Sequence, residues 1–357
     1  MKIHNFSAGP SILPAEVLQE AAQACVNFNG HGLSILEMSH RSAPFEAVME
    51  EAEQLVRDLY QLDDSYAVLF LTGGASTQFP LVAMNLLNEN ETAAYLNTGV
   101  WATGAIKAAK QFGSVNVVGS SEATNFNYLP KDFIVPQDSK YFHYTTNNTI
   151  YGTQYQYIPE AGNVPLVADM SSDIFSRPLD ATRFSLIYAG AQKNMGPAGT
   201  TLVIIKKSIL GKVSRTIPAI FDYRTHSDKG SMYNTPPVFP IFVSMLTMRW
   251  IKAQGLAQLG AVNEAKAQLL YDTIDNSTAF AATIKDKADR SRMNVNFVPT
   301  RPELEKPFLA HCKAAGINGI AGHRSAGGFR ASIYNALPMA SVEFLVEQMH
   351  AFEKANV

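Results

Sequence analysis

Cysteine is scarce. The 357 residues contain only Cys25 and Cys312, and no CxxC occurs. Two cysteines so far apart make neither a disulfide framework nor a zinc site. Each stands in a helical-looking stretch and is expected as a buried, reduced thiol. Charge of either sign is nearly balanced, with 29 Lys+Arg against 31 Asp+Glu and a net charge of −2. That excludes a general attraction to nucleic acid or to an anionic membrane. No run reaches the roughly 20 apolar residues that span a bilayer. The segment Met1 to Pro10 lacks the apolar centre of a secretory signal. There is no internal repeat, no low-complexity stretch, no GxGxxG and no Gly-Lys-Ser/Thr ending of a nucleotide loop. With 46% hydrophobic and 17% charged residues, what remains is a folded, cytoplasmic α/β enzyme, long enough for two domains.

Seven short apolar runs read as strands: Tyr66 to Leu71, Ala93 to Leu96, Val115 to Val118, Tyr141 to Tyr144, Pro165 to Ala168, Leu186 to Ala189 and Thr201 to Ile205. Helical patterns lie between several of them, which predicts a mainly parallel seven-stranded sheet covered on both faces. A helix is predicted just after Leu13-Pro14, with proline in its first turn. Others are predicted over 46–60 and 78–87, with Thr72 to Thr77 as a tight loop between strand and helix. After Tyr233 the character changes. Pro236-Pro237 and Pro240 stiffen the chain, and a long helical stretch over 241–274 is broken near Gly255. Strands at 293–298 and 330–334 and helices at 306–315 and 341–355 predict a smaller α+β domain. The expected division is 12–255 and 256–357, with residues 1–11 packing near the smaller part.

Lys193 follows an apolar strand and sits among small, uncharged neighbours in Tyr188-Ala189-Gly190-Ala191-Gln192-Lys193-Asn194-Met195-Gly196-Pro197. Open α/β sheets place ligands at this end of their strands. A desolvated lysine there has a lowered pKa and attacks an aldehyde. Asp169 ends the preceding strand. Alone it reads equally as a helix cap. Paired with Lys193 it suits pyridoxal 5′-phosphate (PLP), whose ring nitrogen needs a buried carboxylate to stay protonated. Gly73-Gly74 leads into a helix and offers backbone N–H groups to a phosphate. His40-Arg41 and His323-Arg324, with Arg330 beyond, supply guanidinium groups suited to carboxylate or phosphate. Each pair alone is an ordinary surface feature.

Taken together, these segments resemble the phosphoserine aminotransferase family, class-V enzymes of PLP fold type I. The likeness runs over essentially the whole chain. It is carried by Asn5 to Pro10, Met38-Ser39-His40-Arg41, Thr72 to Phe79, Ala168 to Ser172, the Lys193 segment, Gly230 to Pro237, Ser291 to Val295, Gly322-His323-Arg324 and Gly327 to Asn335. The resemblance implies one PLP per subunit as a Schiff base on Lys193, with Asp169 at the ring nitrogen. It implies Trp101 stacked on the ring and Thr149 at the phenolic oxygen. Ala75, Ser76 and Gln192 would hold the phosphate. Asn234 and Thr235 would reach the phosphate in the neighbouring subunit, so a homodimer is implied. Arg330 would clamp the α-carboxylate. His40, Arg41, His323 and Arg324 would take the substrate's phosphate or the distal carboxylate of L-glutamate. Many relatives carry Arg where this chain has Ser76, and others share the Ala-Ser form.

The implied reaction passes an amino group between glutamate/2-oxoglutarate and a phosphorylated 2-oxo acid, 3-phosphohydroxypyruvate, in serine biosynthesis. 4-Phosphohydroxythreonine of vitamin B6 synthesis is a second substrate implied in the same way. Nucleic acid and membrane are not expected partners, and no metal is. The rivals are a serine–glyoxylate type of aminotransferase, a cysteine desulfurase and a non-catalytic PLP-binding module. A desulfurase needs a cysteine on a mobile loop, and Cys312 reads as helical. The other two have no use for two His-Arg pairs beside a Lys and an Asp.

Overall fold

A computed structural model describes residues 2–356. The chain starts with β1 (His4–Asn5) and α1 (Ala15–Val26), then α2 (Ala43–Tyr60), β2 (Tyr66–Thr72), α3 (Ala75–Leu86), β3 (Thr92–Asn97), α4 (Val100–Ala109) and β4 (Ser114–Ser120). Next come β5 (Phe142–Thr145), a hairpin of β6 (Asn147–Asn148) and β7 (Thr153–Gln154), β8 (Leu166–Asp169), β9 (Leu186–Gly190) and β10 (Thr200–Lys206). The short α5 (Tyr223–Asp228) leads to α6 (Val238–Gln254) and α7 (Leu256–Asp275). The last part holds β11 (Phe280–Ala282), β12 (Asn294–Pro299), α8 (Glu305–Ala314), β13 (Ile317–Asn318), β14 (Phe329–Ser332) and α9 (Met339–Asn356).

The central sheet has seven strands in the order β2-β10-β9-β8-β5-β3-β4. Only β10 runs against its neighbours, so the other six strands end at the same edge. Alternate residues of β2, β9 and β10 enter different cores, because successive strand side chains point to opposite faces. Val68, Phe70, Ile187, Ala189, Leu202 and Ile204 join the core under α1, α2 and α6. Leu69, Leu71, Leu186, Tyr188, Val203 and Ile205 join the core under α3 and α4. The expected two-faced, mainly parallel α/β sheet is thus what forms.

A smaller antiparallel sheet, β11-β12-β14, packs with α7, α8 and α9 around a third core rich in phenylalanine. Phe6 inserts into that core, and β1 pairs in parallel with β13. Both cysteines are free; Cys312 is buried within α8 as expected, whereas Cys25 in α1 is only half-buried.

Three local expectations are corrected. Pro14 caps α1 from outside rather than lying in its first turn. Helix α2 begins at Ala43, with proline in the first turn. Helix α3 begins at Ala75, so Ala75 and Ser76 belong to its first turn and not to a loop. The interior Pro80 lacks an N–H and so leaves the Ser76 carbonyl without its helical donor. No helix among the described residues is long and apolar enough to cross a membrane, and they contain no cluster of metal-ligating side chains.

Candidate active site

The shared edge where six strands end holds a cavity. Around it stand Ala75, Ser76, Trp101, Thr149, Asp169, Gln192 and Lys193. Different elements deliver each of them. Asp169 is the last residue of β8, on the face that carries Val167 into the α3/α4 core. Its carboxylate accepts from the Ser171 hydroxyl at 2.6 Å and the Ser171 N–H at 2.9 Å. This is the side-chain turn that Asp makes with the backbone two residues on. Burial pushes the Asp169 carboxyl up, while Ser171, Lys193 and Tyr188 oppose the shift.

Lys193 sits in the turn after β9. Its amine donates to the Thr149 hydroxyl at 2.7 Å. Burial brings its pKa down to about 8, with Arg330 adding to the fall and Asp169 opposing it. The backbone around it is tied from three sides. The Ser11 hydroxyl donates to the Lys193 carbonyl, and the Ser11 N–H donates to the Gln192 carbonyl at 3.0 Å. Asn194 donates to the Ser172 carbonyl at 3.1 Å and accepts from the Asn335 N–H at 3.0 Å. Thr149 is presented by the β6–β7 hairpin. That hairpin is itself held by Asn147, which donates to Asn294 at 2.7 Å.

The other end of the cavity is rich in donors. Gly74 provides no side-chain cap to α3, so the first N–H groups of that helix are free for an anion. Gly190 brings the chain close to that helix: a Cβ there would stand 2.8 Å from Gln192 Oε1 and 3.2 Å from the Ala75 nitrogen. The buried Trp101 Nε1 and Arg330 Nε have no partner among the described residues. A buried donor left so costs about 1–3 kcal/mol, which an acceptor from a bound ligand would recover. Among the described residues no acidic side chain pairs with Arg330, whose pKa burial lowers. His323 is held below its usual value by burial, then by Arg330 and Arg324. Arg330 is thus close enough to act on Lys193, and His323 lies near both Arg330 and Arg324.

Seven expected site residues do not line the cavity: His40, Arg41, Asn234, Thr235, His323, Arg324 and Arg330. His40 and Arg41 lie in the turn before α2, with the Arg41 guanidinium donating to His40 Nε2 at 3.3 Å. Asn234 and Thr235 lie between α5 and α6, where the Asn234 amide donates to the Thr235 carbonyl at 3.2 Å. The sequence reading gave no role to Ser171, Asn194 or His143. A serine two places after a strand-ending aspartate was the available signal for Ser171. His143 lies below the site, with Nε2 3.0 Å from the Tyr188 hydroxyl. Burial takes its pKa down to about 3, so it stays neutral. No sequence signal marked it.

The donor set fits PLP. A lysine amine of lowered pKa faces a buried carboxylate, a free helix start lies at one end, and an unpaired indole N–H looks on. The chain belongs to the aminotransferase class-V family, whose profile matches residues 3–345. It is a PLP-dependent transaminase. Among its relatives is the phosphoserine aminotransferase of Flavobacterium johnsoniae, 57% identical over 357 residues and covering 99% of each chain. The solved phosphoserine aminotransferase of Bacillus circulans subsp. alkalophilus is 44% identical and superposes with a TM-score of 0.97, covering 100% of this chain and 99% of that one. A PLP-bound phosphoserine aminotransferase from Trichomonas vaginalis is 36% identical with a TM-score of 0.92, over 98% of this chain and 100% of that one.

Proposed function

We propose that this enzyme is a phosphoserine:2-oxoglutarate aminotransferase, using glutamate to aminate 3-phosphohydroxypyruvate. The carrying observation is the buried Arg330, whose Nε has no partner among the described residues and whose charge acts on Lys193, with Arg324 and His323 close to it. Donor and acceptor each carry an α-carboxylate and a distal acid group, a carboxylate in one and a phosphate in the other, and one set of cations can serve both. The relatives' shared name supports the same substrate.

PLP, when bound, supplies the electron sink that makes the substrate Cα–H bond acidic. In this reading Lys193 anchors the cofactor and, once released, moves the proton at Cα. Its lowered pKa leaves the amine able to accept a proton near neutral pH. Asp169 would face the ring nitrogen and keep a proton there, and Ser171 would hold the carboxylate in place. Trp101 would cover the ring face and Thr149 its phenolic oxygen. Ala75, Ser76 and Gln192 would bind the phosphate. Arg330 would take the α-carboxylate of either substrate.

His40, Arg41, Asn234 and Thr235 lie away from their own chain's cavity. We assign them to the cavity of a second subunit in a homodimer, His40 and Arg41 at the substrate anion and Asn234 and Thr235 at the cofactor phosphate. We also assign cofactor binding mainly to residues 12–255, with 256–357 and the N-terminal segment closing the substrate side.

A coupled assay of amino transfer to 2-oxoglutarate tests the substrate. Phosphoserine should exceed serine in kcat/KM by about 100-fold or more, the scale of a charge-assisted contact or two. Equal use of the two donors would remove the proposal.

A further inference from the structure

The loop that carries His323 and Arg324 rests on residues with no role so far. Asn125 and Phe126 follow one another with φ of 54° and 58°. Left-handed backbone is uncommon for such residues and disfavoured for a bulky aromatic, and it persists where the surroundings enforce it. Here it turns Phe126 inward. The side chain is 6% exposed, its N–H donates to the Ser121 carbonyl at 2.9 Å, and its ring centroid lies 4.8 Å from that of Tyr151.

Phe126, Ile150 and Tyr151 form a small apolar cluster of their own, apart from the three main cores. Two residues pack on it from outside, Trp101 and Ala326. Trp101 lines the cofactor cavity. Ala326 belongs to the loop that follows Arg324. Under this loop lies a cavity of about 210 Å³, bounded by Phe126, Tyr151, Ala326 and Gly327.

The loop has few other ties. Its base is closed by the Gly322 N–H donating to the Gly328 carbonyl at 2.8 Å. The His323 carbonyl accepts from Ala326 and Gly327, and His323 Nδ1 lies 2.7 Å from the Ser325 hydroxyl. Among the described residues, the hydrogen bonds of 323–327 are all internal to the loop. Its apolar packing on the Phe126 cluster is made by Ala326.

We propose that Phe126 and Tyr151 are positioning residues, a platform that seats Ala326 and so holds His323 and Arg324 over the active site. This rests on the reading of those two residues as binders of the substrate's distal anion. The same rings back Trp101, so the loop and the cover of the cofactor ring share one support. Without the platform, the loop must be ordered when substrate binds. That cost falls on substrate affinity rather than on the bond-making step.

The test uses the PLP-loaded enzyme and two readouts. In Phe126→Ala, hydrogen exchange of amides 322–328 should rise about tenfold while β8 and β9 keep wild-type protection. KM for phosphoserine and for 2-oxoglutarate should rise about tenfold, with kcat within about twofold. Phe126→Leu, which keeps apolar bulk, should restore most of both. Ala326→Asp perturbs the same contact from a surface loop and avoids the risk of unfolding; it should also speed exchange at 322–328. Unchanged exchange at 322–328 in Phe126→Ala, or in Ala326→Asp where the first variant fails to fold, overturns the proposal. Arg324→Ala separates the underlying reading: it should raise both KM values without changing exchange. If its KM values stay at wild type, the anion assignment fails, and the exchange data still decide the platform.

Discussion

At the residue scale the chemistry centres on one amine. Burial lowers the Lys193 pKa from 10.5 to about 8, and the neighbouring Arg330 works in the same direction. Between these two values the unfolded chain binds more protons at this site than the folded chain does. The penalty for keeping the amine in the cofactor-free fold therefore applies below pH 8 and fades as pH rises from about 8 towards 10.5. Uptake of PLP requires the neutral amine. We expect the rate of cofactor uptake by the apo-protein to climb with pH and level off, with its midpoint near pH 8. A rate that is flat between about pH 6.5 and about pH 9.5 would show that this amine is not tuned by burial. Lys193 and Asp169 were legible in the sequence because each follows an apolar strand. His143 was not: a polar side chain inside a core is explained only by a partner such as Tyr188, which the sheet brings near from two strands away.

At the scale of elements, the site depends on strand ends and on the starts of the helices that follow. Gly190 ends β9 where the chain passes closest to the start of α3. Adding one methyl group there crowds Gln192 Oε1, 2.8 Å away, and the Ala75 nitrogen, 3.2 Å away. Gly190→Ala should weaken cofactor affinity about tenfold, or ~1.4 kcal/mol, in a fluorescence titration of the apo-protein. Unchanged affinity would mean that these two groups do not hold the phosphate. The long apolar strands and amphipathic helices were readable from their periods. The two-residue strands β1, β6, β7 and β13 were not, since a pair of residues has no period. The start of α3 was placed late because Gly73-Gly74 looks like a breaker. Burial of Phe79, Val82 and Ala83 holds the helix regardless. The reversed direction of β10 was also invisible, as an apolar run gives no sign of its orientation.

At the scale of the whole molecule, the distribution of cations carries the argument. Arg330 acts on Lys193 and lies near His323 and Arg324, whereas His40 and Arg41 lie in the turn before α2 and Asn234 and Thr235 between α5 and α6. In our account a second subunit brings them in. Lys193→Ala and Arg41→Ala homodimers should each be nearly inactive, yet mixed dimers should regain activity, because one of their two sites has both residues intact. No recovery on mixing would place Arg41 in its own chain's site or outside any site. The central claim is that one site handles phosphoserine and 2-oxoglutarate in turn, with the enzyme keeping the amino group in between. The most direct measurement mixes PLP-loaded enzyme with excess phosphoserine and no 2-oxoglutarate. The account predicts one equivalent of phosphohydroxypyruvate per subunit, then a halt, then renewed turnover when 2-oxoglutarate is added. Continuous product without an acceptor, or none at all, would contradict it.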